Sequence, residues 1–188
     1  MECNYLLQRH PVFSLDKLQP RIKETAQRLW LIYISFTVLL FIIFLVEGMN
    51  FFDAINHAMT TFATGGFSTK NASIGHFESP LIQYTVILFM LISATNFTLT
   101  YFALKLDFSK LYKNEEFRIY ISFVLILTII VFTTLMLIDN NYPEATFRDS
   151  LFNIVSIVTT TGFTTADFTG WTEFITILFF ILMFIGAS

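Results

Sequence analysis

Charge is what this chain has least of. Asp, Glu, Lys and Arg make up 13% of its 188 residues, against 55% hydrophobic residues, and the mean hydropathy is +0.66. A soluble domain carries about 25% charged residues, so the composition excludes that class and assigns the chain to a bilayer. Cysteine is nearly absent as well: Cys3 stands alone, which rules out a disulfide framework and a cysteine-built metal site. Only 7 Gly and 4 Pro interrupt the chain, too few for a loop-rich or disordered polymer, and its 24 Phe supply surface for lipid and for helix packing instead. Catalytic constellations are also missing. There is no His-Glu-x-x-His, no pair of carboxylates within an apolar run and no Ser/His/Asp arrangement, so an enzyme is not expected.

What is present is apolar length. Residues 29–49, "LWLIYISFTVLLFIIFLVEGM", cover about one bilayer thickness as a helix rising roughly 1.5 Å per residue. Residues 81–104 and 117–138 form two further runs long enough to span, and a fourth apolar run starts near Phe174 and reaches Ser188. The cations supply direction. Arg9, Lys17, Arg21, Lys23 and Arg28 precede the first span, Lys105, Lys110, Lys113 and Arg118 lie around the second connection, and only Lys70 and Arg148 lie elsewhere. By the positive-inside rule, residues 1–28 are a basic cytoplasmic leader and residues 105–116 a cytoplasmic loop. The leader has no apolar core of the kind a signal peptide needs. The expected location is the cell (inner) membrane, multi-pass, with the N-terminus cytoplasmic and the remaining connections facing outward.

Residues 50–80 are too apolar for an exterior loop and too interrupted to cross the membrane, so they read as a re-entrant segment. "FFDAINHAMTTFA" has a short helical pattern, with Asp53 expected to cap its start and Thr64-Gly65-Gly66 expected to end it. The pattern returns, with Asp149 ahead of "SLFNIVSIV" and Thr160-Thr161-Gly162 at its end. Without a gap, Asp53 aligns with Asp149, Thr64 with Thr160, Gly66 with Gly162, Phe67 with Phe163, Ser68 with Thr164 and Thr69 with Thr165. "IYISF" also occurs twice, at residues 32–36 and 119–123, and the extra length of the second copy is assigned to an insertion around "DNNYPEA". The expected fold class is an all-α membrane protein made of repeated units of transmembrane helix, pore helix, filter loop and transmembrane helix. The two units are residues 29–104 and 117–188, the second truncated in its last helix.

A cation stripped of water needs several oxygen ligands. Thr64, Gly65, Gly66 and Phe67, and again Thr160, Thr161, Gly162 and Phe163, offer main-chain carbonyls and Thr hydroxyls with little bulk in the way. Gly66 and Gly162 are the positions where a positive φ would turn consecutive carbonyls toward one axis. The C-terminal ends of the short helices add partial negative charge. One Thr-Gly-Gly alone is an ordinary loop or helix stop; two aligned copies inside re-entrant segments favour a cation site. Other polar residues have plainer readings. Asn96 suits an interhelical hydrogen bond, His57 a packed and hydrogen-bonded side chain rather than a metal ligand, and Trp30 and Trp171 interfacial belts.

At these residues the chain resembles the TrkH-type potassium uptake proteins of the Trk/Ktr/HKT superfamily. "RIKETAQRLW", "FFDAINHAMTTFATGGFSTKNASIGHF", "FMLISATNF" and "SIVTTTGFTTADFTGW" carry the resemblance, which runs from about Lys17 to the end. It implies four such units around one pore, with this chain similar to the second and third, and a potassium filter that includes the eight loop residues above. Gly186 would begin a glycine-rich gate loop. The resemblance further implies potassium as the transported ion with no cofactor, a homo-oligomer in the membrane and a cytosolic nucleotide-binding regulatory subunit; nucleic acid is not an expected partner. The expected function is potassium ion transmembrane transport by a truncated piece of the pore-forming protein. The alternative is a non-conducting membrane fragment that only associates with a full-length partner.

Overall fold

The computed structural model describes residues 15–95, 114–138 and 142–186, with side chains from residue 25 onward. Every element among them is helical: α1 (Leu15–Val46), α2 (Phe51–Phe62), α3 (Pro80–Ser93), α4 (Glu115–Met136), α5 (Pro143–Val158) and α6 (Glu173–Gly186), with 3-10 turns at Ser73–His76 and Phe168–Gly170. Asn96, the end of the second expected span and most of the expected cytoplasmic loop fall outside the described residues.

The described end of the leader, from Leu15, forms one continuous helix with the first span. α1 runs through Pro20, near its start, to Gly48, whose φ of 96° closes it, with Met49 N–H donating to Phe44 O at 3.0 Å and Gly48 N–H to Leu45 O at 3.2 Å. The Thr25–Val46 part of α1 and the whole of α4 are long and apolar enough to cross a membrane. In α1, Ile32, Phe36, Leu40 and Phe44 recur every fourth residue and are buried, while Val38, Leu39 and Ile42 on other faces are exposed. A helix apolar all round suits a lipid exterior; a soluble one would carry polar residues on its outer face. The threonines that α4 carries are satisfied within the helix, as Thr128 Oγ1–H donates to Val124 O at 2.8 Å and Thr134 Oγ1–H to Ile130 O at 2.8 Å, whereas the buried Tyr120 hydroxyl has no partner.

α2 has 12 residues, about 18 Å of helix, and cannot cross a hydrocarbon core of roughly 30 Å. Its end is pinned to α1 by Phe62, which stacks on Phe36 at 5.3 Å and meets Tyr33 edge-on at 5.5 Å. The chain then turns back, and α3 starts at Pro80, where a missing N–H is harmless. The second unit repeats this plan. α5 packs on α4 and α6 of its own unit and on α3 of the first, so a single buried core runs through both.

Two helix starts differ from the sequence-based expectation. Asn50, not Asp53, caps α2: its Oδ1 accepts Asp53 N–H at 2.8 Å, and Asp53 is the third helical residue. Asp149 does not precede the second pore helix but is the seventh residue of α5, because Pro143 sets the start and the Arg148–Glu144 pair, 2.7 Å apart across one turn, supports the added length. The end of the insertion, from Pro143, is therefore helix.

Candidate functional site

Both pore helices end in the same way, and neither ends on glycine. The residue after the cap of α2 is Thr64 at φ 49°, and its counterpart after α5 is Thr160 at φ 57°. Each closes a Schellman turn. Gly65 N–H reaches Thr60 O at 2.8 Å and Thr64 N–H reaches Thr61 O at 3.1 Å; Thr161 N–H reaches Ser156 O at 2.9 Å and Thr160 N–H reaches Ile157 O at 3.0 Å. Where α1 ends, the chain places Gly48 at this position. A β-branched residue there costs on the order of 1–3 kcal/mol, a strain that the chain holds twice at matching places. The glycines come two residues later, Gly66 at φ 64° and Gly162 at φ 87°.

Side chains of each pore helix clamp the returning limb. Thr60 Oγ1–H is shared between Phe67 O and Asn56 O, each at 2.9 Å, and the aligned Ser156 Oγ–H donates to Phe163 O at 2.6 Å. Lower on the limb, Thr69 Oγ1–H donates to Asp53 Oδ1, and Thr165 Oγ1–H donates to Asp149 Oδ1 at 2.8 Å. The carbonyls of Phe67 and Phe163 are thus held. Among the described residues, none donates to the carbonyls of Thr64, Gly65, Gly66, Thr160, Thr161 or Gly162. Six oxygens at the loop apices are left without an internal donor, while Thr161 Oγ1 is taken up by Thr159 Oγ1 at 2.8 Å.

The loops meet edge to edge. A Cβ on Gly66 would lie 2.0 Å from Thr161 O, whereas one on Gly162 would meet nothing within 4 Å. The contact continues below, where Gly75 N–H donates to Thr164 O at 3.1 Å and Thr164 N–H to Ser73 Oγ at 3.3 Å. His57 joins the units from inside. Its Nδ1–H donates to Asp53 O at 2.7 Å, which leaves Nε2 to accept from Ser68 Oγ–H at 2.8 Å, and its ring lies 6.0 Å from that of Phe163. The two loop phenylalanines consequently differ: Phe163 is 1% exposed, and Phe67, with no neighbouring unit on its side, is 77% exposed.

Residues 5–188 match the family described as TrkH, cation transport protein. This chain is a TrkH-family protein. The Trk system potassium uptake protein TrkH of Vibrio parahaemolyticus is 45% identical over 176 residues, covering 91% of this chain and 36% of that protein. TrkH of Escherichia coli K12 is 42% identical over 176 residues, covering 92% and 36%, and TrkG of the same strain is 31% identical, covering 93% and 36%. The crystal structure of the potassium transporter TrkH from Vibrio parahaemolyticus superposes with a TM-score of 0.80 at 41% identity, covering 87% of this chain and 36% of that one. The TrkH-family chain thus spans about a third of the relatives it matches, and it shares their all-α membrane fold.

In the TrkH-family chain a cavity of about 430 Å³ lies beneath the loops, lined by Thr64, Ser93, Tyr120, Thr159, Thr160 and Gly186. It joins the two strained threonines to the end of α6, where a Cβ on Gly186 would stand 2.9 Å from Ile157 O. Charge at the start of α2 is matched: Asp53 Oδ2 takes Lys70 Nζ at 3.1 Å and Asn50 Nδ2–H at 2.7 Å. Trp171 packs against Phe179 at 6.0 Å instead of standing free, whereas Trp30 is exposed. Thr60 and Ser156 were not legible as braces, yet the gapless alignment carried the signal, since a hydroxyl recurs at both. His57 and Asn153 recur in the same way, each donating to the carbonyl one turn back.

Proposed function

We propose that this chain supplies part of the wall and filter of a potassium-conducting pore. The observation that carries the reading is the pair of loops with matching turn bonds and positive-φ positions, whose six apical carbonyls have no donor among the described residues and which touch at Gly66 and Thr161. Carbonyls of Thr64, Gly65 and Gly66 and of Thr160, Thr161 and Gly162 replace hydration water around the ion. The held carbonyls of Phe67 and Phe163 fix the outer limb, so the loops resist closing around a smaller ion. The C-terminal ends of α2 and α5 add negative potential at the same place. Potassium is the ion of choice because the relatives are named as potassium uptake proteins.

The charge bias of the chain orients the loops outward and the cavity that includes Gly186 toward the cytoplasm, where Gly186 begins a gate. Uptake then runs with the membrane potential, which contributes roughly 2.3 kcal/mol per charge per 100 mV. Exposed Phe67 supports further units around the axis, from a longer protein or from another copy, with a contact like that between Phe163 and His57. A cytosolic regulatory subunit would dock on the basic loop at residues 105–116. No enzymatic step or cofactor enters this reading.

The test is a chimera in which this chain replaces the matching segment of Escherichia coli TrkH, expressed in a potassium-uptake-deficient cell. Growth at low potassium is expected, and Gly66→Ala should abolish it. A chimera that inserts normally and carries no rubidium flux would favour the non-conducting reading instead.

A further inference from the structure

The two units share a hydroxyl brace onto the loop phenylalanine carbonyl and an Asp–Thr bond onto the returning limb, and they differ in the charge beside that Asp. In the first, the Asp53 carboxylate takes the Thr69 hydroxyl on one oxygen and the Lys70 ammonium, at 3.1 Å, on the other. In the second, Asp149 takes the Thr165 hydroxyl at 2.8 Å, but the residue aligned with Lys70 is Ala166. The cation adjacent in sequence, Arg148, has its guanidinium on Glu144 at 2.7 and 2.9 Å.

Beside Asp149 lies a cavity of about 400 Å³, lined by Thr146, Asp149, Ala166, Trp171 and Thr172 together with the apolar end of α4. Thr172 Oγ1 is buried there with no hydrogen-bond partner. Thr146 Oγ1 gives its proton to Tyr142 O at 2.9 Å, so its lone pairs remain for another ligand. Asp149 and two threonines, one with a buried hydroxyl that has no partner, therefore line a space roomy enough for an ion with attendant waters. One formal negative charge, with no group of three or more His, Cys, Asp or Glu among the described residues, suits a monovalent rather than a divalent ion.

We propose that this cavity binds an alkali-metal cation on Asp149, Thr146 and Thr172, in the role that the Lys70 ammonium plays beside Asp53. The site lies outside the loop carbonyls and is built within one unit, from the end of α4, α5 and the 166–172 turn. It does not rest on the filter assignment. Its consequence is mechanical: Asp149 also holds Thr165 on the returning limb, so the bound cation fixes the second loop as Lys70 fixes the first.

The test is anomalous diffraction from the full chain crystallised in lipid with thallium(I) as the probe. A peak within coordination distance of the Asp149 carboxylate and the Thr172 hydroxyl is expected. Ala166→Lys should bring its own ammonium and reduce that peak to noise, and Asp149→Asn, which adds no bulk, should do the same. Any peak at the loop carbonyls should survive both changes. Absence of the Asp149 peak in the parent chain overturns the proposal, as does its persistence in Ala166→Lys. A peak at Asp149 with none at the loops would sustain this site and sink the filter reading.

Discussion

Replacing Gly66 with alanine puts a methyl group where the two loops touch. Both Gly66 and Gly162 have positive φ, so alanine at either carries a left-handed strain of about 1–2 kcal/mol. Only at Gly66 does the new carbon meet a neighbour, 2.0 Å from Thr161 O. Ordinary contact begins near 3.5 Å, so the loops must part by more than ~1 Å, and because the obstacle is main chain no rotamer relieves it. Overpacking of this kind adds about 1–3 kcal/mol. Gly66→Ala should therefore lower stability by about 2–5 kcal/mol, against about 1–2 kcal/mol for Gly162→Ala. The assay is equilibrium unfolding in mixed micelles, paired with the rubidium-to-sodium flux ratio of the chimera. Selectivity should collapse in Gly66→Ala and weaken in Gly162→Ala. Equal losses, or a larger loss at Gly162, would refute the contact between the loops and the reasoning built on it.

Ser156→Ala removes the donor to Phe163 O, and should cost about 0.5–1.5 kcal/mol and lower potassium-over-sodium selectivity while leaving insertion unchanged; unaltered flux ratios would show that the brace is idle. Phe163→Ala empties a fully buried site, an expected loss of about 3–5 kcal/mol by unfolding, whereas Phe67→Ala in this chain should stay within about 0.5 kcal/mol. Equal losses would mean that the second loop does not bury its phenylalanine against the first unit. Labelling of a Cys3→Ser background with an impermeant maleimide should reach Asn71→Cys from outside and Lys110→Cys only after permeabilisation, and the opposite pattern would invert the topology.

Much of the fold was legible because apolar length and duplication are strong signals. An apolar stretch of 12 residues between two spans can only enter and leave on one side, so α2 was readable as a short pore helix. Its cap was not, because Asn50 and Asp53 are both good cap residues and the choice depends on how tightly the chain turns after Gly48. Pro143 did carry a helix-start signal, but the polar residues around it favoured a loop reading. The left-handed residues fell on Thr64 and Thr160 although glycine follows each helix closely, since the turn position is set by the last helical hydrogen bonds rather than by propensity. Phe67 and Phe163 each follow a glycine and precede a hydroxyl residue; the neighbouring unit buries one and leaves the other exposed. The missing partner of Asp149 was visible in the alignment as Ala166 opposite Lys70, but its cavity needed three dimensions.

The central claim is that the carbonyls of both loops take potassium. Gly-Phe occurs only twice in the chain, at 66–67 and 162–163, so glycine labelled with 13C at the carbonyl and phenylalanine labelled with 15N make just the Gly66 and Gly162 carbonyls visible in a carbon–nitrogen filtered spectrum. With the chain in lipid bilayers, both signals should shift when potassium replaces N-methylglucamine, and should shift less or return on exchange to sodium. Two signals that stay fixed through a full potassium titration would contradict the account.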